Sequence, residues 1–294
     1  MNEIVSFVMS VPGLRRLLGD AADVFIHEQM RLKEYKQMHY DYAESLQSRK
    51  ALQALLRTLL TQSAEHVETC SKQLLLDIHE KMQDAENIYK DVYEVVLRLN
   101  DQFPGDIGIF CAFLLNHVRL MPGEGIFLEA NTPHAYLCGG KKKRKNAVIN
   151  KRIEAIECMS SSDNVVRAGL TSKFKDIETL VSMLTYKCAS ASEQKIRSIS
   201  FDRTIGDGEV HFFKPPINEF SVLQIYLKKD HIQKVEGLKG PSIMICTQGN
   251  GIVAVEEKQH FVRAGLVFFV GAFLETVFTA NSDLFIIYRA FVEV

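Results

Sequence analysis

The chain has 294 residues, of which 47% are hydrophobic and 24% are charged, and its formal net charge at pH 7 is -1. This composition is typical of a globular protein with a sizeable core, and the length predicts about two domains. The nearly neutral charge argues against a general nucleic-acid binder, which needs a basic field. The sequence also offers no apolar run of the roughly 18 residues that a membrane-spanning helix needs.

The N-terminal residues and the cysteines both favour a cytoplasmic protein. The first residues lack the basic leader of a signal peptide and carry Glu3 before their apolar stretch. The six cysteines are scattered, without a CxxC pair or zinc-finger spacing: Cys70, Cys111, Cys138, Cys158, Cys188 and Cys246. This pattern predicts reduced thiols in the cytosol and singles out no nucleophile.

Residues 1–100 are predicted to form a helical domain. Apolar residues recur at helical spacing in two stretches, Leu52 to Leu60 and Ile88 to Leu99, with charged residues between them. Only Pro12 interrupts this region. The pattern is typical of amphipathic helices that pack on each other or on another domain.

After Asp101 the sequence changes to short apolar runs separated by turn residues. Phe103-Pro104-Gly105-Asp106 marks a boundary, and Gly125 to Ala130 is a candidate strand. One helix is predicted near Ile177 to Tyr186. The last ninety or so residues read as an all-β sandwich or small barrel. Its candidate strands are Ser221–Lys228, Ser242–Thr247, Gly251–Val255, Leu266–Val270, Glu275–Thr279 and Leu284–Phe291.

A basic segment, GGKKKRKNAVINKRIEA at 139–155, stands apart from this pattern. One interpretation is a nuclear-localisation or polyanion-binding patch. We favour the alternative of a solvated loop, because runs of charge usually remain hydrated.

His134 is the first candidate for chemistry. It follows Pro133 at the end of an apolar run, where a strand end can aim an imidazole into a cavity. The alternative is a structural histidine. A catalytic metal typically takes about three protein ligands, and the sequence leaves Glu129 as an uncertain second donor.

The second candidate is the polar segment from Glu157 to Phe174. Glu157 can act as a general acid or base, and Arg167 and Lys173 can bind phosphate. The alternative is a polar loop with two surface cations, and the residues alone do not decide between these interpretations.

Several of these motifs, in the same order, resemble type I mannose-6-phosphate isomerases. They are FPGDIG from Phe103, LMPGE from Leu120, FLEANTPHAYL from Phe127, ECM from Glu157 and SDNVVRAGLTSKF from Ser162. The resemblance covers the whole chain, most strongly 103–186. It implies an α+β fold with cupin-like, jelly-roll β-barrels and a helical domain at 1–100. It assigns 101–200 to part of the catalytic barrel, with the atypical insertion 139–155, and 201–294 to a C-terminal barrel.

The resemblance also implies a function. The family consists of zinc-dependent aldose–ketose isomerases that interconvert mannose 6-phosphate and fructose 6-phosphate, which feeds GDP-mannose synthesis and glycosylation. It makes His134 a zinc ligand, Arg167 and Glu157 catalytic residues, and Lys173 a substrate-binding residue. A cytoplasmic monomer is expected, with a small-molecule sugar phosphate as partner and neither nucleic acid nor membrane.

Two departures from the family pattern qualify this expectation. The family's other zinc ligands, in Ser-Ile-Gln-x-His-Pro and His-Lys-Pro-Glu motifs, are absent, and the basic segment replaces a short connection. We therefore expect an N-terminally truncated chain with an incomplete first barrel, a single zinc donor and little or no activity, in which the insertion is a retained intron or an added loop. The alternative is a non-catalytic cupin-like binding protein or pseudoenzyme.

Overall fold

A computed structural model describes residues 1–38, 46–84, 86–137, 155–162 and 165–293. The helices in this part of the chain are α1 (Asn2–Ser10), α2 (Pro12–Leu18), α3 (Asp20–Met38), α4 (Leu46–Leu60), α5 (Ala64–Lys81), α6 (Lys90–Gln102), α7 (Gly108–Cys111), α8 (Ile177–Met183) and α9 (Ala191–Gln194). Within the described residues, none of the helices is both long enough and apolar enough to cross a lipid bilayer.

The strands are short before residue 220 and longer after it. They are β1 (Gly125–Ile126), β2 (Lys195–Ile196), β3 (Ile199–Ser200), β4 (Thr204–Gly206), β5 (Glu209–Phe213), β6 (Ser221–Lys228), β7 (Ile232–Val235), β8 (Ser242–Gln248), β9 (Asn250–Val255), β10 (Lys258–Arg263), β11 (Val267–Val270), β12 (Thr276–Ala280) and β13 (Leu284–Phe291). The predicted α+β class, with its helical domain and cupin-like β structure, is confirmed.

The contacts between residues divide the chain into two compact units. Unit 1 contains 1–118, 128–137 and 163–191, and unit 2 contains 119–127, 138–162 and 192–294. The domain boundaries near 100 and 200 stay predictions.

Unit 1 is built around helices whose apolar faces meet in one core. Leu14, Leu17 and Leu18 of α2 are buried. A Cβ atom added to Gly13 would lie 3.0 Å from Leu74 Cβ, so α2 and α5 approach closely at this glycine. The helical periodicity predicted from Leu52 to Leu60 is confirmed by α4. Ile88 departs from its predicted pattern, because α6 begins two residues later and leaves this side chain 83% exposed.

Unit 2 is an antiparallel sandwich with alternating inward apolar residues. Its five-stranded sheet has the order β10-β9-β12-β7-β4, and its six-stranded sheet has the order β11-β8-β13-β6-β5-β3. In β13, Phe285, Ile287, Arg289 and Phe291 are buried, while the residues between them are partly exposed. This period of two places one arginine on the same face as the apolar core residues.

The predicted strand from Gly125 to Ala130 is shorter in the structure. Only Gly125 and Ile126 pair, in antiparallel register with β2, and Phe127 N then donates a hydrogen bond to Gln194 O at 2.9 Å. The strand ends where its partner β2 no longer lies opposite. Among the described residues before Ile199, β1 and β2 are the only strands.

Candidate functional site

The His134 imidazole is exposed and is oriented by the backbone that precedes it. Its Nδ1 lies 2.9 Å from the carbonyl oxygen of Thr132, and its ring contacts Tyr136 edge to face at 6.0 Å between centroids. Because a carbonyl oxygen can only accept, Nδ1 is the donor. The neutral ring therefore presents Nε2 as its acceptor, which is the arrangement seen in metal-binding histidines.

Glu129, which the sequence left as an uncertain second zinc donor, is bound to a lysine. The Glu129 carboxylate forms an ion pair with Lys187, whose Nζ lies 3.0 Å from both carboxylate oxygens. Across the described residues, no group of three or more His, Cys, Asp or Glu side chains is placed to hold a metal ion. These residues by themselves therefore do not fit a complete zinc centre, which needs about three protein ligands.

Arg167 is partly buried, and both its side chain and its backbone are held. Its Nη1 donates to Val165 O at 3.1 Å, and its carbonyl oxygen accepts from Asp176 N at 2.8 Å. Asp176 caps α8, because its carboxylate accepts from Thr179 N at 3.0 Å. The start of α8 therefore anchors the backbone that carries Arg167.

Asp106 organises the loop that follows Arg167. Its Oδ1 accepts from Gly108 N at 2.7 Å and from Leu170 N at 2.9 Å, and its Oδ2 accepts from Lys175 Nζ at 2.8 Å. Only 12% of the Asp106 side chain is exposed. One carboxylate thus joins the Phe-Pro-Gly-Asp turn to the Arg167 segment, with both of its oxygens used.

The hydrogen bonds to Asp106 together lower its pKa by more than burial raises it. Burial by itself raises the pKa of this carboxyl group, but the bonds from Leu170 N, Lys175 Nζ and Gly108 N, with the positive charge of Lys175, together lower that pKa below its usual range. Asp106 is therefore ionised near neutral pH.

Two glycines allow the same loop to pack closely. A Cβ atom on Gly169 would lie 3.0 Å from Gly108 Cα, and a Cβ atom on Gly108 would lie 2.6 Å from Leu170 Cγ. Leu170 itself takes a positive φ of 52°, which is unusual for a branched residue. In this conformation Leu170 N donates its hydrogen bond to Asp106 Oδ1.

The other two predicted site residues differ in their placement. Lys173 is exposed and belongs to unit 1 with His134 and Arg167, and its backbone N donates to Thr171 Oγ1 at 3.1 Å. Glu157 is exposed and belongs to unit 2. Residues 139–154 of the basic insertion lie outside the described residues, and so does Cys138.

Comparison with known proteins points to the same family. The family model "Phosphomannose isomerase type I, helical insertion domain" matches residues 17–115, and "Phosphomannose isomerase type I C-terminal" matches residues 212–258. The chain is similar to the type I phosphomannose isomerases in these two regions. The resemblance stated from the motifs is confirmed.

Curated relatives show the same similarity. Mannose-6-phosphate isomerases of Saccharomyces cerevisiae and Candida glabrata are 36% and 38% identical to this chain over 297 aligned positions. Each alignment covers 100% of this chain but 64% of the relative. The chain therefore spans less than two thirds of the length of these curated relatives.

Solved structures show the same fold. A single-site mutant of phosphomannose isomerase from Salmonella typhimurium matches with a TM-score of 0.71 at 23% identity. The match covers 100% of this chain and 61% of that one. A Salmonella mannose 6-phosphate isomerase bound to fructose 6-phosphate and zinc matches with a TM-score of 0.68 at 22% identity, over 100% and 61% of the two chains.

Sequence reasoning missed Asp106 as the residue that braces this family's motif. The local signal was present, because an Asp two residues before a Gly is typical of an Asx turn, and Asp106 Oδ1 accepts from Gly108 N. Its other partners, Leu170 and Lys175, lie more than sixty residues further along the chain. A single sequence gives no sign of such contacts.

Proposed function

We propose that this chain is part of a mannose-6-phosphate isomerase, which interconverts mannose 6-phosphate and fructose 6-phosphate with the help of zinc. The supporting observation is the orientation of His134, whose Nδ1 donates to Thr132 O within the family motif. The similarity to curated mannose-6-phosphate isomerases supports the proposed substrate and reaction class.

His134 is proposed as a zinc ligand through Nε2. A backbone carbonyl that accepts from Nδ1 fixes the tautomer and raises the basicity of the other nitrogen. The further donors have to come from outside the described residues, because no metal-binding group is found among them. Zinc, when bound, supplies a positive charge for the substrate oxygens.

Arg167, Glu157 and Lys173 are proposed to act on the sugar phosphate. Isomerisation moves one proton between C2 of the aldose and C1 of the ketose, and Glu157 carries the carboxylate proposed for that transfer. Arg167 provides a fixed guanidinium for the charge that develops on oxygen or for the phosphate. Lys173 provides a point charge for the phosphate.

The wider setting follows from the same proposal. The reaction would supply mannose 6-phosphate for GDP-mannose synthesis and glycosylation in the cytoplasm. We propose a monomer whose partner is the sugar phosphate, without nucleic acid or membrane.

The 294-residue chain alone is proposed to have little or no isomerase activity. Among the described residues only His134 is proposed as a zinc ligand, and no group of three possible ligands is found there. We expect the purified chain to bind less than one zinc per chain and not to convert mannose 6-phosphate. Stoichiometric zinc with turnover by this chain would contradict the proposed impairment.

A fusion tests the site itself. The chain is joined to the part of the Saccharomyces relative that it does not match, and zinc content and turnover are measured. The His134→Ala variant should lose both zinc and activity, whereas Arg167→Ala should lose activity and retain zinc.

The matched control for the fusion is His79→Ala. His79 is also exposed and also has its Nδ1 against a backbone carbonyl, that of Leu75, at 2.6 Å. It lies in α5, outside the motif. If His79→Ala and His134→Ala behave alike, the proposed role of His134 is wrong.

A further inference from the structure

The two sheets of unit 2 separate along one side of the sandwich. Strands β10 and β11 follow each other in the chain, yet β10 is the edge of the five-stranded sheet and β11 is the edge of the six-stranded sheet. Among the described strands, β10 pairs only with β9, and β11 pairs only with β8. A cleft therefore opens between these two edges.

This cleft is a half-open cavity of about 310 Å³. Its floor consists of core residues, including Met244, Val253 and Val270, which are almost fully buried. Phe268 of β11 forms part of one wall. The volume lies at the lower end of the range typical of small-molecule sites.

Two side chains of β10 give the cavity a basic rim above its apolar floor. Lys258 and His260 both line it, in register with Val255 and Val253 of the neighbouring strand. As alternate residues they lie about 7 Å apart along the strand, on one face of the sheet. Both are exposed, and neither has a hydrogen-bond or ion-pair partner among the residues that the structure describes.

Glu256 also lines the cavity, at the tip of the hairpin between β9 and β10. Its carboxylate repels an anion at that end. Since Lys258 and then His260 follow it away from the tip, the favourable position for a negative group is between Lys258 and His260.

We propose that this cleft is a binding site for a small amphipathic anion, with an apolar body on the floor and its anionic group at Lys258 and His260. The site is made entirely from unit 2. It does not depend on the proposed isomerase activity.

The test uses anilinonaphthalene sulfonate as the probe, because it combines an aromatic body with one anionic group. Binding to the full chain is followed by fluorescence and by the methyl resonance of Met244 in methionine-labelled protein. We expect saturable binding that shifts the Met244 resonance and leaves that of Met183, in α8 of unit 1, unchanged. Phenylnaphthylamine, which has the same rings without the sulfonate, should bind more weakly.

Charge removal provides the second arm. Lys258→Met should weaken binding of the sulfonate about threefold to fivefold, as expected for one exposed ionic contact. Lys229→Met removes another exposed lysine, which lies outside the cavity, and should leave the affinity unchanged. Circular dichroism checks that both variants are folded.

Three outcomes would overturn the proposal. They are an unshifted Met244 resonance at saturation, equal affinities of Lys258→Met and Lys229→Met, and equal binding of the neutral and anionic probes. The first would show that the probe binds elsewhere, and the other two would show that no anionic group is recognised.

Discussion

Unit 1 holds a largely buried charged side chain and unit 2 a fully buried one, and the two units compensate for the burial differently. In unit 1, Asp106 accepts two backbone N–H groups and the ammonium group of Lys175. In unit 2, Arg289 is fully buried and donates to two neutral hydroxyl groups, Ser242 Oγ at 2.9 Å and Thr276 Oγ1 at 3.0 Å. The surroundings of Asp106 favour its charged form, whereas those of Arg289 disfavour its charged form.

Arg289 lacks a counter-charge in the described part of the chain, where no carboxylate is paired with it and its Nη2 has no hydrogen-bond partner. Burial, and next the positive charge of Arg203, lower the pKa of Arg289 to about 10. Arg203 has its own partner in Glu293, with contacts of 2.8 and 2.7 Å. Arg289 therefore remains charged near neutral pH, although its surroundings destabilise the charged form.

The largest effect is expected at Asp106. Asp106→Ala would leave Gly108 N, Leu170 N and Lys175 Nζ without their acceptor, and we expect a loss of about 3 kcal/mol from the free energy of unfolding of unit 1. Urea unfolding followed by far-ultraviolet circular dichroism measures this, because α1 to α8 all lie in unit 1.

Asp101→Ala is the control, since Asp101 is an exposed aspartate near the end of α6. Its substitution should change the stability by less than about 0.5 kcal/mol. Equal effects of the two substitutions would contradict the bracing role of Asp106.

Arg289 should respond in a different way. Arg289→Met keeps much of the side-chain volume and removes the buried charge, so we expect stability within about 1 kcal/mol of the original protein, or higher. Arg289→Ala also removes the charge but leaves a cavity, and it should cost about 3 kcal/mol. Hydrogen exchange of the β13 amides measures both variants in unit 2.

A large loss of stability in Arg289→Met would contradict the view that the environment of Arg289 only destabilises unit 2. It would mean that the bonds from the guanidinium to Ser242 and Thr276, which come from β8 and β12 of different sheets, stabilise the sandwich more than the buried charge destabilises it.

The two strands whose predicted bounds match the structure lie between two neighbouring strands. Position in the sheet does not decide every case, because the edge strand β11 was predicted to within one residue, whereas β5 and β7, with two neighbours each, were not predicted. Ser221–Lys228 and Leu284–Phe291 have the predicted bounds, because buried central strands carry a clear alternation. Strand β10 was missed, since it is an edge strand with five of its six residues exposed, and its sequence reads as polar. Edge strands are formed by pairing with one neighbour, which a local pattern does not record.

The candidate site was predictable from the sequence only in part. The motif around His134 identifies the residue, but the Thr132 carbonyl that orients it belongs to the backbone.

The inward position of Arg289 follows from its spacing to Phe285 and Ile287 in a predicted strand. Its partners Ser242 and Thr276 depend on the packing of one sheet on the other, and sequence does not provide that.

The smallest expected effect is the acid dependence of unit 1. The folded-state pKa of Asp106 is lowered, so its contribution to stability is fully present above the ordinary Asp pKa and is lost as pH falls through the folded-state value. We expect the difference in stability between the original protein and Asp106→Asn to be constant above about pH 5 and to shrink below about pH 4. Thermal unfolding by circular dichroism measures it. A difference that grows on acidification would mean that the folded state favours the protonated carboxyl group, and the hydrogen bonds to Asp106 would then not outweigh its burial.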